Sequence, residues 1–221
     1  VRALEEDAAR PGSEHDFGKN IIPSLIHTAP VFCYRFYDEN KKAAKYWRDI
    51  GTLDAYFEAS MDLCQVNPEF NLYDPEWPLR TYQPQAPPAK FVFAEQGHRC
   101  GQALDSVISS GCIVSGSRVS GSILCPNVRV HSFCEIEQSI LMPGVRVGRH
   151  AHLRRTIVDR DVLIPRGALI GFDDAEDRRR HTVTEGGVVV VTADDDPLIG
   201  SITEEALRAE ADADRGGAVR V

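Results

Sequence analysis

At 221 residues, with 43% hydrophobic content and a formal net charge of −8, the chain has room for one large or two modest domains. It is too acidic overall for general nucleic-acid binding, which needs a basic surface to displace counterions. Its longest aliphatic run, Val188 to Val191, falls far short of the roughly 20 apolar residues that cross a bilayer, and its six scattered cysteines form no C-x-x-C pair. No membrane span is therefore expected, and reduced thiols in a cytoplasmic setting are.

The opening "VRALEEDAARPGSEHD" begins on Val1 rather than Met, is too charged for a signal peptide, and reads as the middle of a longer chain. "DFGKNIIPSLI" reads as a helical start capped by Asp16, and "APVFCYRFY" as a strand. "TLDAYFEASMDLC" reads as an amphipathic helix with Thr52 as its N-cap and Leu53, Tyr56, Phe57, Met61 and Leu63 mostly on one face. Residues 68–88 then hold six of the chain's 13 prolines, a density that neither a helix nor a central strand tolerates. This stretch reads as a linker.

From residue 107 the aliphatics Val107, Ile113, Val119, Leu124, Val130, Ile136, Leu141, Val147, Leu153, Val158, Ile164 and Ile170 recur in steps of 6, 6 and 5, a period of 17. Val128, Val145 and Val162 keep the same period, as do Pro126 with Pro143 and Ser122 with Ser139 and Thr156. One inward aliphatic per six-residue step, with small and turn-forming residues near the corners, is the pattern of a hexapeptide parallel β-helix. Neighbouring coils pair about 4.8 Å apart, so residues 17 apart stack into interior ladders and the chain winds about four coils. An antiparallel sandwich would show variable spacing and hairpin dipeptides instead. The inside of such a prism is fixed by its aliphatics, which leaves the outside to carry arginines and contacts. The block is also basic, with eight Arg against four acids over residues 107–172.

After Gly171, "DDAEDRRRHTVTEGGVVVVTADD" reads as a charged excursion and a return strand at 188–192, followed by an acidic, solvated tail with helical character over 203–211. The expected organisation is an α/β remnant over 1–66, a Pro-rich linker over 67–100, a β-helix over 101–193 and a tail over 194–221.

The ordered set "HDFGKNIIP", "YWRDIGTLDAYFEASMDL", "NLYDPEWPLRTY" and "PPAKFV", followed by the hexapeptide repeat, resembles the C-terminal half of bacterial glucose-1-phosphate adenylyltransferase, also called ADP-glucose pyrophosphorylase. The resemblance runs from residue 1 to about 193. It implies an α/β nucleotidyltransferase remnant followed by a left-handed β-helix, and a whole enzyme that makes ADP-glucose and pyrophosphate from ATP and glucose 1-phosphate for glycogen synthesis. It further implies an Mg²⁺-dependent homotetramer controlled by a phosphorylated metabolite. The chain carries no G-G-x-G-T-x-L phosphate loop and no glucose-phosphate lysine motif. Catalysis by this chain alone is not expected.

The resemblance assigns Asp49, in "YWRDIGT", as the catalytic and metal-holding carboxylate, and Arg160, in "VDRDVLIP", as an effector-binding residue. Arg129 and Arg146, 17 apart, stand on one outer face, where like charges repel unless they are solvated or bridged by a phosphate-bearing effector, which arginine's bidentate geometry suits. Acids in "VTADDDP" stand where relatives often carry basic residues, so the effector's identity is open. His131, His150 and His152 raise the alternative of a hexapeptide acyltransferase, a class with no need of "YWRDIGT". A free-standing, non-catalytic regulatory or assembly subunit is the other alternative.

Overall fold

The computed structural model describes residues 1–38, 43–76, 78–95, 99–195 and 199–201, which fall into two compact units, Val1–Tyr46 and the chain from Trp47 onward. In the first unit helix α1 (Arg2–Ala8) is followed by a π-helical turn, Phe17–Ile21, that runs directly into helix α2 (Ile22–Ile26). Asp16 caps the turn as the sequence suggests, its side chain accepting the Lys19 N–H at 2.7 Å. Ser13 Oγ donates to Asp7 Oδ1 at 2.8 Å and His15 Nδ1 lies 3.0 Å from Asp7 Oδ2. The His15 contact first, and then that of Ser13, hold the Asp7 carboxyl below its ordinary range. The strand expected over 29–37 shortens to Tyr37–Asp38, which pairs antiparallel with Ala43–Ala44. Strand propensity upstream finds no ladder partner among the described residues, and without one it does not make a strand.

The second unit is a parallel β-solenoid of about four turns with three faces. The first face stacks Lys90–Val92, Ile113–Ser115, Arg129–Val130, Arg146–Val147 and Val162–Ile164. The second stacks Gln102–Leu104, Arg118–Ser120, Glu135–Glu137, His152–Arg154 and Leu169–Ile170. The third stacks Val107–Ile108, Ile123–Leu124, Ile140–Leu141, Thr156–Val158 and Val189–Val191. Because Lys90–Val92 pairs with Ile113–Ser115, the stack begins inside the span read as linker.

Ten of the twelve repeat aliphatics hold the interior, from Val119 to Ile170, all buried. The first two were one residue early. Ile108 pairs with Leu124 and Val114 with Val130, so Ile108 and Val114 face the core where Val107 and Ile113 had been expected. The reason is a shorter first coil: these partners are 16 residues apart, against 17 in the coils that follow. Polar residues with the same period stack as well. Ser122, Ser139 and Thr156 are fully buried, and each backbone N–H donates to the hydroxyl one coil below, at 3.1, 3.0 and 3.2 Å, with Ser106 starting the column. A corner that would bury unpaired N–H groups is satisfied by its own side chains.

After Ile170 the chain leaves the coil through helix α4 (Asp174–Arg180), capped by Asp173, and returns by Thr182–Val183, antiparallel to Val189–Val191. The charged excursion and return strand read from the sequence are thus both present. The acidic tail falls almost wholly outside the described residues, as does the helix expected over 203–211. Among the described residues no helix is long and apolar enough to cross a membrane.

Candidate functional site

The "YWRDIGT" segment ends in helix α3 (Leu53–Asp62), whose start is fixed by Thr52: its hydroxyl accepts the Ala55 N–H at 3.1 Å and its carbonyl the Tyr56 N–H at 2.9 Å. Just before this cap, Asp49 folds back so that its Oδ1 accepts the Gly51 N–H at 3.0 Å. The carboxylate is exposed, with its second oxygen free of any hydrogen bond within this turn. Trp47, Ile50 and Leu53, on either side of it, are exposed too. Among the described residues no group of three or more His, Cys, Asp or Glu is arranged to hold a metal. Asp49 on its turn presents one exposed carboxylate and no complete cage.

Helix α3 is held by a feature that the sequence reading passed over. Ile123, Ile140 and Ile157 are register partners on the third face, each one residue before an interior aliphatic, and they form a second ladder on the outside of the prism. Phe57 is buried with Ile140, Ile157 and Val188, and Tyr56, Met61, Ile123 and Met142 pack around them. The outside of this face is apolar and covered by α3, not free for charges. The period of 17 among the three isoleucines was the available signal, and the sequence reading does not take it up. Beside the seam a groove of about 380 Å³ is lined by Arg48, Glu58, Asp62, Gln138 and Arg155, among others. It brings the residue next to Asp49 together with two corner residues of the solenoid.

Arg129 and Arg146 are register partners on the first face, as the spacing requires. Arg129 is exposed and Arg146 half-buried. Arg160 is exposed at the corner that leads into the same face one coil further on, where Pro126 and Pro143 stand in the coils below. Its backbone N–H donates to Asp159 Oδ1 at 2.7 Å. The three arginines thus share one edge of the prism, and Asp49 lies on the α3 segment that packs on another face.

The three histidines do not converge. His131 is buried, with its carbonyl accepting the Ser117 hydroxyl, and His150 occupies a left-handed corner where it stacks on Phe133 at 4.9 Å. His152 faces outward, 3.7 Å from Glu135 Oε2. Burial raises the thiol pKa of Cys64, Cys112, Cys125 and Cys134, which suits packing residues rather than nucleophiles.

Residues 1–66 match the nucleotidyl transferase family model, and residues 87–191 match the GlmU-like C-terminal hexapeptide model. Among curated proteins the chain is 56% identical over 194 residues to a glucose-1-phosphate adenylyltransferase of Koribacter versatilis, covering 88% of this chain and 46% of that protein. Proteins of the same name from Methylobacillus flagellatus, 54% identical over 194 residues, and Rhodopirellula baltica, 51% over 191, match 86% and 85% of this chain and 45% and 43% of their own lengths. The chain spans about half the length of the curated relatives it matches. With motifs, solenoid and identity in agreement, the chain belongs to the glucose-1-phosphate adenylyltransferase family.

Proposed function

We propose that the chain works as part of a glucose-1-phosphate adenylyltransferase, which joins ATP and glucose 1-phosphate into ADP-glucose and pyrophosphate for glycogen synthesis. The observation that carries this reading is Asp49: an exposed carboxylate on a hydrogen-bonded turn, at the start of a helix that the solenoid holds rigid. Nucleotidyl transfer gathers negative charge around the α-phosphorus. An Mg²⁺ ion, which commonly takes only one or two protein carboxylates and completes its shell with phosphate oxygens and water, neutralises that charge. Asp49 would supply one of those carboxylates, and residues beyond this chain the rest of the site. The name of the similar proteins points in the same direction.

In this reading the solenoid joins subunits into a homotetramer and reads metabolite levels through Arg129, Arg146 and Arg160. Two in-register arginines on one face suit the bidentate geometry of a phosphate group, which favours a phosphorylated effector on that edge. The separated histidines give no support to an acyltransferase.

The test is pyrophosphate release from ATP and glucose 1-phosphate with Mg²⁺, measured on the natural full-length polypeptide and on its Asp49→Asn variant. Turnover by the parent and a loss of about a hundredfold or more in the variant are expected. A polypeptide that releases no pyrophosphate would instead be a regulatory or assembly subunit.

A further inference from the structure

The hairpin that interrupts the solenoid after α4 has a second attachment, 130 residues back in the chain. Thr184 Oγ1 donates to Asp54 Oδ1 at 2.5 Å, and the Gly186 N–H donates to Asp54 Oδ2 at 3.2 Å, so both oxygens of one carboxylate are taken by the hairpin tip. The threonine hydroxyl also accepts the Val188 N–H at 3.0 Å, which orders the tip itself. From the neighbouring corner Arg155 donates to the Gly186 carbonyl at 3.0 Å and lays its guanidinium 5.3 Å from the centre of the Phe57 ring. Gly186 leaves no room for a side chain, since a Cβ there would sit 2.6 Å from Asp54 Oδ1.

Asp54 lies in the first turn of α3, one turn past the Asp49 bend. Between them run the Thr52 cap and the Gly51 N–H that holds the Asp49 carboxylate, so a few residues of hydrogen-bonded backbone join the Asp54 contact to Asp49. We propose that this hairpin is a clasp, with Asp54 and Thr184 as positioning residues that hold the Asp49 turn in place for metal binding. The proposal rests on the reading of Asp49 as a metal ligand. The clasp also touches the effector edge: its return strand, Val189–Val191, pairs with Thr156–Val158, and the Asp159 N–H beside Arg160 donates to the Val191 carbonyl at 2.9 Å.

The experiment compares Thr184→Val, Thr184→Ser and Asp54→Asn in the full-length polypeptide. It reads amide hydrogen exchange over residues 47–53 and the Mg²⁺ concentration for half-maximal pyrophosphate release, with Asp49→Asn measured alongside. Thr184→Val keeps the side chain's shape and removes only the hydroxyl, which donates to a charged acceptor, so exchange over 47–53 should quicken about tenfold and the Mg²⁺ requirement should rise in step. Thr184→Ser should restore both. Asp54→Asn combined with Thr184→Val should be little worse than the stronger single change, because both break one contact. Unchanged exchange over 47–53 in Thr184→Val overturns the clasp, as does faster exchange with an unaltered Mg²⁺ requirement when Asp49→Asn abolishes the metal dependence. If Asp49→Asn keeps the parental metal requirement while Thr184→Val quickens exchange, the metal reading of Asp49 fails and the clasp stands as a mechanical link.

Discussion

Single residues shape this solenoid mainly at its corners, where the backbone turns through the left-handed region. Three columns of positive φ run up the prism: Gly111, Asn127, Gly144 and Asp161; Gly116, Phe133, His150 and Gly167; and Asp105, Gly121, Gln138 and Arg155. Only five of these twelve are glycine, so the left-handed conformation is met mostly by side chains that accept its cost, which is of order 1–2 kcal/mol for an ordinary residue. Where glycine is required, the reason is contact as well as conformation. At Gly171 a Cβ would fall 1.8 Å from the Arg154 carbonyl oxygen, a backbone atom that cannot swing aside, whereas at Gly167 nothing lies within 4 Å of it. Both have positive φ, of 84° and 73°. Gly167→Ala is therefore expected to cost about 1–2 kcal/mol, the conformational term alone. Gly171→Ala should cost about 3 kcal/mol or more, since the Arg154 strand must move. Denaturant unfolding of the two variants reads the difference directly, and equal midpoints would show that the corner at Gly171 relaxes freely.

At the scale of elements, the seam between α3 and the third face decides whether that helix and the solenoid behave as one body. Phe57 is the buried centre of that seam, so Phe57→Ala should destabilise the second unit by about 3–5 kcal/mol, as large-to-small core changes do. Leu53→Ala, on the exposed side of the same helix, should be nearly neutral, and urea unfolding that ranks the two the other way would reject the packing. The sequence revealed this helix through its Thr cap and apolar spacing, and the solenoid through a period that chance does not give. It left the partner of the helix hidden, because Ile123, Ile140 and Ile157 stand beside core residues, and a strand shows which residues are apolar without showing which face is covered. The slip at Val107 and Ile113 has a similar cause. Val107–Ile108 and Ile113–Val114 are aliphatic pairs, so a strict period of 17 found an aliphatic at the first member of each, and only the pairing of the second members with Leu124 and Val130 reveals that the first coil is one residue short. Asp49 was singled out by its motif alone. The clasp was not, because Asp54 and Thr184 are 130 residues apart and neither has a pattern of its own.

For the whole molecule, the proposed reading puts two tasks on different sides of one solenoid. The third face holds α3 and with it the Asp49 turn, while Arg129 and Arg160 are exposed and Arg146 half-buried along another edge. Ladders of aliphatics and buried hydroxyls make the body between them stiff, so a ligand bound at the arginine edge acts on a frame rather than on a loose surface. If that edge is built for a phosphate group, anion binding there must stabilise the fold by mass action, since the unfolded chain cannot hold three arginines in one place. Inorganic phosphate should accordingly raise the thermal midpoint of the full-length polypeptide, and the increment should shrink in Arg160→Ala and in Arg146→Ala, with affinity falling about tenfold in each. Arg118→Ala removes an exposed arginine from the second face and should leave the phosphate increment at its parental size, which separates a built edge from a general response to charge. Added sodium chloride should weaken the effect, because the contacts are exposed and screened. A phosphate increment that is the same in the parent and in all three variants would place the effector elsewhere on the protein and leave the arginine column as a solvated face.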